Sequence, residues 1–506
     1  MGVKEVRPQP VQARFLSSNA DIAIYGGQAG GGKTYALLME CIRHIDVPGF
    51  SAIIFRRESK QIYLPGGLYD SAMEFYPGLG CKHRQQPMLE FNFKPKAKIV
   101  MTHLGIDSDL SSFQGAQIPL ICWDELTHFA RGMFFYMLSR NRSACGVRPY
   151  MRGTCNPDPE SWVADFIGWW IDQDTGYPIK ERGGVIRYFI TVPDETDTRL
   201  IWGSSKEDVL TNNGLSKPSE HEFQEALRLI DAALKVGEDI PDDHASEAVI
   251  YAKFYKSIKS ATFIPASIFD NRELIRQNPE YLSNLKALSR VERERLLYGN
   301  WKIRPAAGLY FSKSDARIIP ELPNDIVRVL RIWDLAATEP NETNKDPDWT
   351  VGMRLGRRKN GRVVIMDVAR VRKKASRVRD LVLTTAHLDG RDCPIHLNQD
   401  PGQAGKDQID SYRHDVLKGF KVFSSVTSKD KVTVAEPAAA AWQNGRIEML
   451  LDPSWNKEVI EELDKFPTQG VHDDCVDALS NGYNALPSSA TPNYGQGSGM
   501  SRKYRD

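Results

Sequence analysis

Short apolar runs alternating with helix-compatible stretches set the pattern of the first half of the chain. Residues 22–25, 52–55, 99–101, 119–123 and 185–191 are apolar runs of strand length. After the first of them, Leu37, Leu38, Cys41, Ile42 and Ile45 recur at helical spacing and predict a helix over 35–45. Continuous apolar strands interleaved with helices predict an α/β fold with a parallel sheet covered on both faces. Residues 216–320 read as a mainly helical, charged lid or linker, with 222–236 and 281–298 its clearest helices. A second α/β unit opens near Ile326, where 327–335, 351–355 and 363–368 follow one another as three strands of a meander. A helix over 376–388 and a strand over 395–398 come next. The domains expected are therefore 1–215, 216–320 and 321–486, followed by a Ser-, Gly- and Pro-rich disordered tail at 487–506.

Composition narrows the class. A chain of 506 residues is too long for one core. No apolar run approaches the roughly 20 residues needed to cross a bilayer, and the N-terminus lacks a signal-peptide core, so no membrane partner is expected. Seven Cys are scattered with no C-x-x-C pair, which argues against zinc and a disulfide framework and suits a reducing cytoplasm.

The most specific motif is Gly27-Gln28-Ala29-Gly30-Gly31-Gly32-Lys33-Thr34, a full match to G-x-x-x-x-G-K-[ST] between a strand and a helix. In that setting Gly27, Gly30 and Gly32 let the backbone wrap a phosphate, Lys33 reaches the β/γ-phosphates and Thr34 binds Mg²⁺. ATP with Mg²⁺ is the implied cofactor. The apolar strand Leu120-Ile121-Cys122-Trp123 ends in Asp124 and Glu125, the form of a Walker B element. There Asp124 would hold Mg²⁺ through water and Glu125 would polarise the attacking water. Asn156, after the strand end Thr154-Cys155, is either a sensor of the γ-phosphate or an ordinary Asn-Pro turn. Gln9 and Gln12 precede the loop, where a Gln could read the adenine edge. Arg56, Arg57, Arg140 and Arg142 are alternatives for a nucleotide contact or an arginine finger.

A second constellation is made of acids. Asp334 and Asp400 close strands, and Asp473, Asp474 and Asp477 fall in 471–479, a segment with helical spacing. Acids converging from strand ends and a late helix can hold two Mg²⁺ or Mn²⁺ ions for phosphodiester cleavage. On a helix Asp473 and Asp477 share a face while Asp474 is turned about 100° away, so not all three need be ligands. Net charge is only +1, yet 354–379 carries Arg354, Arg357, Arg358, Lys359, Arg362, Arg370, Arg372, Lys373, Lys374, Arg377 and Arg379 against Asp367 alone. Beside a nuclease site this run reads as a phosphate-contacting face for DNA.

In this order along one chain, the motifs resemble the large terminase subunit of tailed double-stranded DNA bacteriophages. The resemblance also rests on Tyr298-Gly299-Asn300-Trp301, Trp333-Asp334-Leu335-Ala336, Gln399-Asp400-Pro401-Gly402 and the 472–479 segment. It implies an ASCE-type P-loop ATPase joined to an RNase H-like nuclease, with Glu125 as catalytic acid and Asn156 in the coupling element. Asp334, Asp400 and Asp473 or Asp474 would be the nuclease metal ligands. The implied partners are double-stranded DNA, the portal protein of the procapsid, the small terminase subunit and further copies in a ring, usually pentameric. The implied setting is the cytoplasm of the infected bacterial host, transiently on the procapsid. Many relatives carry an Arg early in the P-loop where this chain has Gln28 and Ala29. A helicase or repair ATPase with an attached nuclease is the alternative, and would need a second RecA-like half. A small-molecule kinase would leave the acids and the basic run unexplained.

Overall fold

The computed structural model describes residues 6–86, 88–193, 198–236, 238, 240, 245–336, 339, 345–399, 402–426, 430–468 and 470–487. Asp400 and the tail expected beyond 487 lie outside the described residues. The chain divides into two compact units, Met1–Ser283 with Glu294–Ile303, and Asn284–Arg293 with Arg304–Asp506.

The first unit is built on β1 (Ile22–Gly27), β2 (Ser51–Arg56), β3 (Lys82–Arg84), β4 (Leu89–Phe93), β5 (Ala97–His103), β6 (Leu120–Trp123), β7 (Tyr150–Cys155), β8 (Ile186–Pro193), β9 (Thr198–Gly203) and β10 (Lys259–Ala266). They form one sheet in the order β3-β4-β5-β2-β6-β7-β1-β10-β8-β9. The six strands from β5 to β10 run parallel, and an antiparallel pair closes each edge. Both faces of the sheet are covered. Ala23 and Tyr25 of β1 join Ile54, Leu120 and Cys122 in one buried cluster, while Ile22 and Ile24 join Ile53, Ile121 and Trp123 in another. That two-sided burial is why the strands are apolar throughout rather than alternating.

One expectation is corrected here. The stretch 216–320 is not helical throughout, because β10 runs through it and pairs with β1 in parallel, Ile22 opposite Ala261 and Gly27 opposite Ala266. Ala261, Phe263 and Ile264 sit in the core, but Ser260, Thr262 and Pro265 interrupt the apolar run by which the other strands are recognised. Within the same stretch the helix Glu220–Val236 forms as expected, while 281–298 breaks into Glu280–Lys286 and Arg290–Leu296. Trp301 is buried against Phe263, so the Tyr298–Trp301 segment packs into the first unit.

The second unit contains β11 (Ile318–Ile319), β12 (Ile326–Asp334), β13 (Thr350–Arg358), β14 (Val363–Val371), β15 (Ile395–Gln399), β16 (Val422–Val426) and β17 (Ile447–Leu450), in the order β11-β17-β14-β13-β12-β15-β16. The predicted meander is present, since β13 is antiparallel to both β12 and β14. Strands β15 and β16 then continue parallel to β12, which gives the RNase H-like order. The helix Asp474–Ala485 lies hard against this sheet. A Cβ at Gly482 would stand 2.7 Å from Ile332 Cγ2 and from Leu355 Cδ1, so only a bare backbone allows the approach. That contact sets the first turn of the helix beside the end of β12.

Candidate functional site

The loop after β1 turns on glycines in left-handed conformations: φ is +136° at Gly27 and +73° at Gly32, which caps the helix Lys33–Cys41. A side chain at either would be strained, and at Gly27 it would meet Ala266 O at 2.6 Å. Three loop carbonyls are held from behind. Asn271 Nδ2 donates to Gly30 O, the Tyr25 hydroxyl to Gly31 O and Gln12 Nε2 to Gly32 O, each at 2.8 Å. In a planar trans peptide the N–H opposes the C=O, so these bonds turn the N–H groups of Gly31, Gly32 and Lys33 the other way. The result is a prepared anion cradle. Gln12 thus secures the loop, and its Oε1 accepts from Gln9 N–H at 2.8 Å. The Gln9 side chain donates to Asn271 Oδ1 at 2.8 Å and accepts from Arg272 N–H at 2.9 Å. Both glutamines line a cavity of about 770 Å³ next to Gly32, together with Tyr35, Met39, Glu74 and Arg272.

Lys33 is buried, and its ammonium donates to Gln28 O at 2.6 Å, Gly27 O at 3.3 Å and Asn156 Oδ1 at 2.9 Å. Asn156 Nδ2 reaches the Glu125 carboxylate at 3.3 and 3.4 Å, so one amide joins Lys33 to Glu125. Asp124 accepts from Thr154 Oγ1 at 2.6 Å and pairs with Arg56 at 2.7 Å. Burial, followed by the charge of Asp124, raises Glu125 above the usual carboxylate range. Burial lowers Lys33, with Glu125 opposing the shift. Glu125 also holds φ +60°, ψ +58°, a conformation that costs a non-glycine residue of order 1–3 kcal/mol. Such strain at a strand end aims the carboxylate back toward Lys33.

Of the four arginines considered from the sequence, Arg56 alone meets this constellation. Arg57 lies near Leu104 O and Met133 Sδ, at 3.4 and 3.2 Å. Arg140 stacks on Tyr136, and Arg142 donates to Ala116 O. The Arg140 carbonyl accepts from Ile118 N–H, which places that pair at the start of β6, the opposite end from Asp124. Asn271 and Tyr25 were missed in the sequence. Only the position of Asn271 before the short helix Arg272–Gln277 marked it, as an N-cap.

In the second unit Asp334 closes β12 and accepts from Asn398 Nδ2 at 3.3 Å. Burial first, then Asp477 and Asp474, push Asp334 up to about 7. Asp474 is pushed up to about 6, again chiefly by burial, while a hydrogen bond from Trp349 N–H at 3.1 Å pulls it back. Asp477 is also raised by burial. Burial disfavours the charge of these carboxylates, a nearby cation would favour it, and their oxygen donors suit a hard divalent one. The helix begins at Asp474 with Asp473 as its N-cap, so 471–473 precede it, contrary to the helical reading of the whole 471–479 segment. Asp473 and Asp477 share one partner, Lys431, at 2.7 and 2.9 Å. His472, also missed, lies with Asp348 and Asp474 in a cluster whose ligand atoms are all within 4.8 Å of one another.

Part of the basic run is engaged within the fold, while Lys359, Lys373, Lys374, Arg377 and Arg379 are exposed. Arg358 pairs with Asp325 at 2.9 Å and Glu448 at 2.8 Å, and Arg362 pairs with Glu448 at 2.7 Å. Arg370 pairs with Glu462 at 2.8 Å, and Arg354 lies 3.6 Å from Asp389. Arg357 is buried and donates to Leu486 O. Strands β13 and β14 point these side chains at acids distant in sequence, which no count of local charge reveals. Glu replacements of Arg358 and Arg362 are therefore expected to lower the urea midpoint of this unit. They should leave the dependence of duplex affinity on salt as in wild type; a log–log slope flattened by about 0.9 per lost contact would show that these two arginines contact phosphate.

The family model described as terminase large subunit, T4likevirus-type, N-terminal, matches residues 24–318, and that of the terminase RNaseH-like domain matches 331–486. The large terminase of a thermophilic bacteriophage is similar in fold, with 14% identity over 95% of this chain and 98% of that chain and a TM-score of 0.55. A structure of that protein in complex with ADP gives 13% identity, 94% and 99% coverage and a TM-score of 0.53. One in complex with ATP-gamma-S gives 14%, 94% and 98%, and 0.51. No match was found among curated proteins.

Proposed function

The chain belongs to the terminase large subunit family, which joins an ATPase to an RNase H-like nuclease, and from that premise we propose how its residues divide the work of packaging DNA. The observation that carries the motor assignment is the single amide of Asn156 between Lys33 and Glu125. Lys33 and the loop N–H groups hold the β/γ-phosphates of ATP, and Gln9 lines the cavity that receives the base. Thr34 and Asp124 would hold Mg²⁺, which would supply neutralisation of phosphate charge. Glu125 orients the attacking water and takes its proton. A phosphate that draws Lys33 away from Asn156 leaves that amide to Glu125 alone. Nucleotide state is thereby passed to β7 and onward into the sheet.

In the nuclease, Asp334, Asp400, Asp474 and Asp477 would hold divalent cations, Mg²⁺ or Mn²⁺, which would supply water activation and stabilisation of the leaving oxygen. Asp473 stands at the rim, turned to Lys431. We assign the motor to residues extending through β10 to Trp301, and the nuclease to 321–486. The partners proposed are double-stranded DNA, the portal of the procapsid, the small terminase subunit and further copies of the chain in a ring, pentameric on the portal. The setting proposed is the infected bacterial cell. Among the described residues no helix is long and apolar enough to cross a membrane. The helicase alternative loses its support, because the second unit has the RNase H-like strand order rather than a second RecA-like half.

The test is protection of DNA from added nuclease. Duplex DNA, ATP and procapsids together are expected to yield protected DNA, and omission of any one to yield none. Strand separation of duplex DNA without procapsids would overturn the packaging reading in favour of a helicase.

A further inference from the structure

The ammonium of Lys431 lies within the acidic cluster of the nuclease unit, 2.7 Å from Asp473 Oδ1 and 2.9 Å from Asp477 Oδ2. Lys431 opens the helix Lys431–Gln443, whose N-cap Asp430 accepts from Thr433 N–H at 2.9 Å. Asn484, on the helix Asp474–Ala485, donates to Val434 O at 3.0 Å and ties the two helices together. An exposed lysine on a single acid contributes little; this one is held by two acceptors at the start of a fixed helix. The acids thereby differ in their partners. Asp473 and Asp477 share a cation. Asp334 and Asp474 accept from neutral donors, the Asn398 amide and Trp349 N–H, with His472 Nδ1 3.5 Å from Asp474.

We infer that Lys431 supplies one of the positive charges of the nuclease site, so that one divalent cation is held tightly at Asp334 and Asp474 and a second enters only by displacing Lys431 from Asp473 and Asp477. This rests on the reading of these acids as the metal site. Two charge-assisted hydrogen bonds hold the ammonium against Asp477 and the rim acid Asp473, and they must give way before Asp477 can accept another cation; an ammonium that remains nearby repels it. Lys431 is thus a positioning residue that sets the order of cation entry and balances the acids before a second ion arrives.

The experiment is Mn²⁺ titration of the full chain without nucleotide, with free Mn²⁺ read by electron paramagnetic resonance. Wild type is expected to show tight binding followed by a class at least about tenfold weaker. In Lys431→Met the weak class should tighten by at least about tenfold, the lower end of what removing one close charge does to a carboxylate. Lys431→Gln should repeat that result at the same exposed position, and Lys431→Arg should behave as wild type. Any ion held at Asp124 is common to all variants and cancels in the comparison. Asp334→Asn should remove the tight class. If Asp334→Asn leaves tight binding in place, the acids are not the metal site and the premise fails. If Asp334→Asn removes it while Lys431→Met and Lys431→Gln bind Mn²⁺ as wild type does, the metal site stands and the role of Lys431 is overturned.

Discussion

Glu125→Gln is expected to keep ATP bound and to lower kcat of the ATPase by at least about 10²-fold, the loss usual when a general base is removed. The substitution preserves shape, and Asn156 can still donate to the remaining side-chain oxygen. Asp124, Thr154 and Arg56 are untouched, so the neighbouring acid keeps its partners. Lys33→Ala should behave differently and lose nucleotide affinity together with turnover, since it deletes the buried charge that faces the phosphates. Separating the two phenotypes takes a nucleotide-binding titration beside the turnover assay. The pH profile gives a second check. A general base must be ionised, so activity is lost as pH falls through its pKa, and burial beside Asp124 raises that of Glu125. The acid limb of kcat/KM, which reports the free enzyme, should therefore lie above the range of an ordinary glutamate. Near-normal turnover by Glu125→Gln would remove this residue from the mechanism.

Asp334→Asn and Asp474→Asn are each expected to abolish nicking and linearisation of plasmid DNA in Mn²⁺ while ATP hydrolysis persists. Each replacement keeps the volume and removes one negative charge from a cluster in which burial raises both acids above the usual carboxylate range, with the charges of Asp477 and Asp474 adding to it at Asp334. Divalent cations bind such a site because their charge relieves that repulsion, so binding and cleavage should fall together. ATPase should survive because Lys33, Asp124 and Glu125 belong to the other compact unit. Asp400→Asn should match Asp334→Asn, whereas Asp473→Asn should have a smaller effect, since Asp473 is turned to Lys431 at the rim. Cleavage at the wild-type rate by Asp334→Asn would dismiss the nuclease assignment. Loss of ATPase in the same protein would point to misfolding instead.

Much of this architecture follows from local sequence. The strands β1, β2, β5 and β6, the meander β12-β13-β14 and the helix Ala375–Asp389 are written in apolar runs and periodicity, and the structure contains them. The Gly-rich loop with Lys33, the Asp124-Glu125 pair and Asp334 at its strand end were legible because each sits at an element boundary, which turn residues and polarity changes mark. What sequence could not supply are relations between distant positions. Strand β10 has its apolar run broken by Ser260, Thr262 and Pro265, and only its pairing with β1 identifies it. The clasp of Asn271, Tyr25 and Gln12 on the loop carbonyls needs three segments brought together by the fold. The choice among Asp473, Asp474 and Asp477 depended on a helix that starts at Asp474 and on a lysine some 40 residues earlier, at 431. The charge run at 354–379 divides for the same reason, into arginines held by acids and cations that stay exposed. Charge can be counted along a chain, but whether an arginine faces solvent or an acid is decided by strand direction and by what the neighbouring strand or helix presents. Sequence determined which chemistries this protein carries; tertiary packing determined which residues meet to perform them, because hydrogen bonds and ion pairs act over about 3 Å of space, whatever the separation along the chain.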